Sequence, residues 1–124
     1  MARHIKTGKQ GEALALEYIK DKGYEVLATN WRYRRSEVDI IAMDQKTLVF
    51  IEVKTRSSDY FGKPELAVTK HKKKLLIDAG TAYMQEIEHT WEIRFDIIAI
   101  VLRSENDIEI QHYIDAFFPG LTSE

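Results

Sequence analysis

Glu37-Val38-Asp39-Ile40-Ile41-Ala42-Met43 and Leu48-Val49-Phe50-Ile51-Glu52-Val53-Lys54 decide how this chain folds, because each reads as a strand and only Asp44-Gln45-Lys46-Thr47 separates them. Both are rich in β-branched and aromatic residues and bounded by polar turn formers, which predicts a hairpin. A turn centred on Gln45-Lys46 sets Met43 against Leu48, Ile41 against Phe50 and Asp39 against Glu52. Side chains alternate between the faces of a strand. One face then carries Val38, Ile40, Ala42, Val49, Ile51 and Val53, all apolar, and must lie on a core. The other carries Glu37, Asp39, Ile41 and Met43 beside Leu48, Phe50, Glu52 and Lys54.

Asp39 and Glu52 are the anomaly in this pattern. Directly opposed residues have Cβ atoms roughly 5 Å apart, and like charges there repel. A hard divalent cation such as Mg²⁺ offsets the repulsion, since it is held by one or two carboxylates plus water and phosphate oxygens. Lys54 projects on the same face as Glu52. A plainer reading stays open, in which Glu37 and Lys54 form an ion pair across the hairpin and the two acids are satisfied by unrelated neighbours.

At 124 residues the chain is expected to form one domain, spanning 1–124, with a real hydrophobic core. Its 44% hydrophobic and 31% charged residues are ordinary for a globular protein. Cysteine is absent, which excludes disulfides and thiolate metal sites and fits a reducing compartment. No apolar run approaches a membrane span, and Met1-Ala2-Arg3-His4-Ile5-Lys6 leads into no signal region, so a cytoplasmic protein without a membrane partner is expected.

The net charge of −2 conceals an asymmetry. Residues 1–85 carry 16 Lys or Arg against 11 Asp or Glu, whereas residues 86–124 carry 2 against 9. Local field rather than net charge decides where a polyanion docks, and the basic part holds the candidate site.

Elsewhere the chain shows no repeat, low-complexity tract or linker. Leu14, Ala15, Tyr18 and Ile19 recur at helical spacing, predicting a helix over Lys9–Lys22 that Gly23 stops. Glu12 stands near the edge of that stripe, either leaning inward or simply complementing the helix dipole. A strand over Tyr24–Tyr33 follows. Its end, Trp31-Arg32-Tyr33-Arg34-Arg35, suits phosphate contact and base stacking, and equally suits an edge strand protected by charge. Thr55 to Pro64 reads as a loop. A second helix is predicted over Lys70–Glu86, with Thr69 as its N-cap.

Lys70, Lys72, Lys73 and Lys74 crowd the first turns of that helix, where its dipole disfavours cations. Binding an anion explains the placement. Lys72 is in line with Leu76, Ala79 and Tyr83 on the core-facing stripe, whereas the other lysines read as solvated and His71 could be either. Trp91–Val101 and Ile108–Ile114 complete the strands. Asp96 is best explained by pairing with Arg94 or another base. The aromatic tail, Ala116-Phe117-Phe118-Pro119-Gly120, suits packing on the core or across a dimer contact.

The order helix, three strands, helix, strand, with an acid on the second strand and Glu-X-Lys on the third, resembles the PD-(D/E)XK nuclease superfamily. Within it the chain resembles the YraN-like family of small bacterial predicted endonucleases, related to archaeal Holliday-junction resolvases. The matching stretches are Gly11-Glu12, Asn30-Trp31-Arg32, Ser36 to Ile41, Val49 to Arg56, Ala67-Val68-Thr69, Lys72 and Arg94-Phe95-Asp96. Each is weak alone, but their joint order and spacing are specific. Ser36 stands where that pattern has glycine, and Lys70-His71 where Pro-Arg is common.

The resemblance implies an α/β, restriction-endonuclease-like core of α-β-β-β-α-β order, a central mixed sheet flanked by helices. It implies that Asp39 and Glu52 ligate Mg²⁺ or Mn²⁺ with the Val53 carbonyl, that Lys54 orients or deprotonates the attacking water, and that Glu12 is a further ligand or supporting acid. Lys72, Arg56, Arg32, Arg34 and Arg35 are the expected nucleic-acid contacts. The expected reaction is phosphodiester hydrolysis by an endonuclease, on DNA in preference to RNA, including branched or repair intermediates. A resolvase would need a two-fold homodimer. Two alternatives remain: a nucleic-acid-binding module with little or no catalysis, and a structural or interaction protein in which the three residues form a charge cluster.

Overall fold

Ile41 pairs with Phe50 and Met43 with Leu48, the register expected from a tight turn at Gln45-Lys46. Gln45 takes a left-handed conformation there, φ 57°, which lets the two strands turn back on each other. The computed structural model describes residues 2–57 and 69–117, and the side chains of 8–57 and 69–116 within them. Its elements are α1 (Ala2–Asp21), β1 (Glu25–Tyr33), β2 (Ser36–Asp44), β3 (Thr47–Arg56), α2 (Lys70–Glu86), β4 (Ile93–Ser104) and β5 (Asp107–Phe117). The five strands form one mixed sheet in the order β1-β2-β3-β4-β5. Only the β3–β4 ladder is parallel, and α2 lies in the connection between those two strands.

Alternation along the central strands builds one core on each face. Ile40, Ala42, Val49, Ile51, Ile98 and Ile100 pack with Ala15 and Ile19 of α1. Ile41, Leu48, Phe50, Phe95 and Ile97 pack with Leu76, Ala79 and Tyr83 of α2. The α/β class, element order and flanking helices are therefore as the sequence predicts. Among the described residues no helix is long and apolar enough to cross a membrane.

Several local expectations need correction. Val38 does not share a face with Ile40; it belongs to the α2-side cluster with Ile41, three residues on. Strict alternation forbids that, so β2 slips by one residue around Asp39. The β1–β2 pairing keeps its register across this point, and Asn30, between the pairs Thr29–Ile40 and Trp31–Val38, has φ 49°. α1 begins at Ala2 rather than Lys9, because apolar spacing marks where a helix packs, not where its backbone starts. β3 continues through Thr55 and Arg56, so the loop expected from Thr55 begins later, and most of it lies outside the described residues. β4 starts at Ile93; Trp91 stands before it, 55% exposed, with its indole N–H donating to the Lys46 carbonyl. α2 has the predicted limits, and the Thr69 hydroxyl accepts the Lys72 amide at 3.1 Å. The backbone of β5 reaches Phe117; the rest of the aromatic tail lies outside the described residues.

Candidate active site

The β2–β3 ladder makes its last pair at Ile40–Ile51, and the site forms immediately beyond it. There the Asp39 Oδ2 accepts the Val53 amide N–H at 2.8 Å, a side chain standing in for a strand carbonyl. Burial first, and then the neighbouring Glu52 carboxyl, push the Asp39 carboxyl up to about 7, against the Val53 N–H and Lys72, which pull it down.

Glu52 is 6% exposed. Its Oε2 lies 3.5 Å from the Lys54 ammonium and 3.8 Å from that of Lys72, which arrives from the first turns of α2. Lys54 thus lies with Glu52 on its own strand rather than pairing across the hairpin with Glu37. The other oxygen, Oε1, is buried and accepts no hydrogen bond among the described residues. Buried carboxylate oxygens almost always have a donor, so one without it beside a second acid suits a cation ligand.

Glu12 comes close on α1. Its Oε1 accepts from the Asn30 side-chain amide at 3.3 Å, and its charge contributes to the upward push on Asp39. Gly11 makes this approach possible: a Cβ built on it would lie 1.9 Å from the Thr55 Oγ1 and 2.9 Å from the Thr55 Cβ. Among the described residues no three acid or imidazole side chains converge as a metal-ligand group. The candidate donor set is thus limited to the two acids Asp39 and Glu52, with the Val53 carbonyl as the backbone contribution that the family resemblance implies. Glu12 stands beside it.

The remaining predicted contacts scatter around this end of the sheet. Arg56 is partly buried at the end of β3. Arg32 is exposed on β1 and lies opposite Glu37. Arg34 and Arg35 occupy the β1–β2 turn, both exposed. β1 is an edge strand, so its charges also protect an edge.

The family description "Uncharacterised protein family UPF0102" matches residues 11–100. A UPF0102 protein of Flavobacterium psychrophilum is 45% identical over 118 residues, covering 95% of this chain and 98% of that one. The chain belongs to the UPF0102 family. Its UPF0102 relatives in Christiangramia forsetii and Thermodesulfovibrio yellowstonii are 47% and 46% identical, again covering 95% of this chain and 98% and 100% of theirs. The UPF0102 match begins at Gly11, the residue in contact with Thr55, and includes Asp39, Glu52, Lys54 and Lys72; it ends before β5.

Asp96 is not part of this cluster. It is 1% exposed and held by a bidentate Arg94, 2.9 Å at each oxygen, by His112 at 2.7 Å and by the Asp115 amide at 2.9 Å. Burial pushes its carboxyl up, but the bonds from His112, Arg94 and Asp115 outweigh that and leave it below its ordinary value. Arg94 also reaches Asp44 and the Tyr24 hydroxyl. The sequence reading thus gave Asp96 its correct structural partner. It gave Asn30 no role; the available signal was an asparagine opposite Asp39, a residue type that tolerates positive φ.

Proposed function

We propose that this chain is a metal-dependent nuclease of the PD-(D/E)XK kind, hydrolysing phosphodiester bonds in nucleic acid, with DNA the expected substrate. The observation that carries the reading is Glu52, a buried carboxyl whose Oε1 has no donor among the described residues while Oε2 faces two ammonium groups. Asp39, Glu52 and the Val53 carbonyl would hold Mg²⁺ or Mn²⁺. When bound, such an ion supplies Lewis-acid stabilisation of developing charge and a more acidic water.

The chain's own residues supply the rest. The Val53 N–H fixes Asp39 Oδ2 and thereby the direction of Oδ1. Lys54, 29% exposed, can donate to an attacking water or to a phosphate oxygen at the mouth of the site. Lys72 adds positive charge from a helix N-terminus, where phosphate is already favoured. No covalent nucleophile is required. The two ammonium contacts alone would suit a structural charge cluster, but such a cluster gives no reason for an undonated Oε1 next to an acid raised to about 7.

The test is cleavage of labelled single-stranded, duplex and four-way-junction DNA and of RNA, with Mg²⁺, Mn²⁺ or EDTA, comparing wild type with Glu52→Ala. Metal-dependent cleavage absent from the variant is the expected result. Equal activity in both preparations, or none in either, overturns the reading.

A further inference from the structure

Arg34 and Arg35 of the β1–β2 turn and Ser36 at the start of β2 face Leu75, Thr81 and Gln85 of α2 across a groove of about 620 Å³. Its lining comes within three residues of Asp39 along β2, at Ser36, and within three of Lys72 along α2, at Leu75. The Ser36 hydroxyl donates to the Leu75 carbonyl at 3.1 Å, which ties the start of β2, three residues before Asp39, to α2, one turn after Lys72. Asp39, Glu52, the β1–β2 turn and the N-terminus of α2 all lie at the same end of the sheet, since β2 leaves that end and β3 returns to it.

We infer that the groove binds a single-stranded segment of nucleic acid adjoining the phosphodiester at Asp39 and Glu52. The inference rests on the nucleic-acid reading of that site, though not on its catalysis. Charge is the first argument. Arg34 and Arg35 line one wall, and the lysines of the first turns of α2 precede the other, a combination that suits a phosphate backbone. Asp78 adds one carboxylate to the α2 wall, available to a base amino group.

Size is the second argument. A volume of 620 Å³ lies within the roughly 300–1,000 Å³ of small-ligand clefts. B-DNA, whose major groove alone is about 12 Å across, cannot enter such a space. Leu75 to Gln85 spans about 15 Å of helix, on the order of two to four nucleotides of one strand.

The third argument is the aromatic wall. The Arg34 guanidinium lies 5.2 Å over the Tyr33 ring. Tyr33 is parallel to Trp31 within 2°, and Trp31 meets Tyr83 edge-on at 5.1 Å. The guanidinium is thus held by packed rings, and a base can stack on its free plane.

Binding of labelled single strands and blunt duplexes of equal length, DNA and RNA, is measured by fluorescence anisotropy on the wild-type chain in EDTA. Arg34→Ala/Arg35→Ala removes the charge, and Thr81→Trp fills the groove without changing charge. Thermal melts verify that both variants fold. Each is expected to weaken single-strand binding about tenfold or more, the loss of one stacked base, and duplex binding much less. Undiminished single-strand affinity in Thr81→Trp, an equal loss on duplex, or no single-strand binding by wild type overturns the inference. A chain that binds strands in the groove but never cleaves sinks the nuclease reading alone; one that cleaves with the groove variants unaffected sinks the groove alone.

Discussion

The Asp39 carboxylate accepts the Val53 amide at 2.8 Å, so one of the two acids proposed as cation ligands also closes the β2–β3 ladder. Its removal therefore has two effects, which the choice of substitution separates. Asparagine retains an oxygen for the Val53 N–H and loses the charge; alanine loses both.

Asp39→Asn gives a stability difference that depends on pH. The folded carboxyl sits at about 7 against an ordinary value of 3.8, so between those values the folded chain holds a proton that the unfolded chain has lost. Wild-type stability from this group therefore falls as pH rises through the window and is lowest above it. In EDTA, melting temperatures of the two proteins are expected to converge near pH 4 and to favour the variant at about pH 8. A difference that does not change with pH contradicts the assignment.

Lys72→Gln separates folding from chemistry. The Lys72 side chain is 38% exposed and 3.8 Å from Glu52, so the pair contributes about 1 kcal/mol or less to stability. Its ammonium is at the unfavourable end of the α2 dipole, which offsets even that. Denaturant midpoints are expected to be nearly unchanged, while cleavage falls roughly 10²–10³-fold, the loss typical of one electrostatic stabiliser. Full activity in the variant would remove Lys72 from the site.

Gly11→Ala is destabilising despite alanine's advantage of about 0.8–1 kcal/mol in a helix. The new methyl would meet the Thr55 Oγ1 at 1.9 Å, and Thr55 is β-branched and cannot swing clear. A net loss of about 1–3 kcal/mol is expected, recovered in part by Thr55→Gly in the same chain. Urea titrations of the four proteins measure the coupling; simple additivity would mean that the helix moves freely.

What could be read from sequence follows the range of the interactions. The hairpin register was legible because a tight turn fixes it locally, and α2 because Thr69 caps it within one turn. The displacement of Val38 was not, since it depends on a side chain of β2 bonding the backbone of β3 and on Asn30 adopting positive φ opposite it. The contact of Gly11 with Thr55 and the bond from Asn30 to Glu12 join elements far apart in sequence, and no local pattern encodes them. Arg94 was visible as a partner of Asp96 two residues away, whereas His112 and the Asp115 amide come from the next strand.

Asp96→Ala is expected to cost about 3–5 kcal/mol, because it takes the bidentate partner from a largely buried Arg94 and the acceptor from the Asp115 amide. The acid limb of the stability curve also changes. Asp96 is held below its ordinary value, so its contribution is complete above that value and is lost as pH falls through the folded one. Wild type therefore loses more stability on acidification than Asp96→Asn does. Parallel acid titrations followed by circular dichroism check this, and equal slopes would refute it.

The parallel β3–β4 ladder, with α2 between its strands, also orders events in time. β1, β2 and β3 are joined by short turns and can associate as soon as they leave the ribosome, whereas β4 must wait for the whole crossover. An early meander of these three strands would bring Asp39 and Glu52 together before α2 has delivered Lys72. Divalent cations or mild acid during refolding would relieve that repulsion, so the ion proposed for the finished site would also speed its assembly.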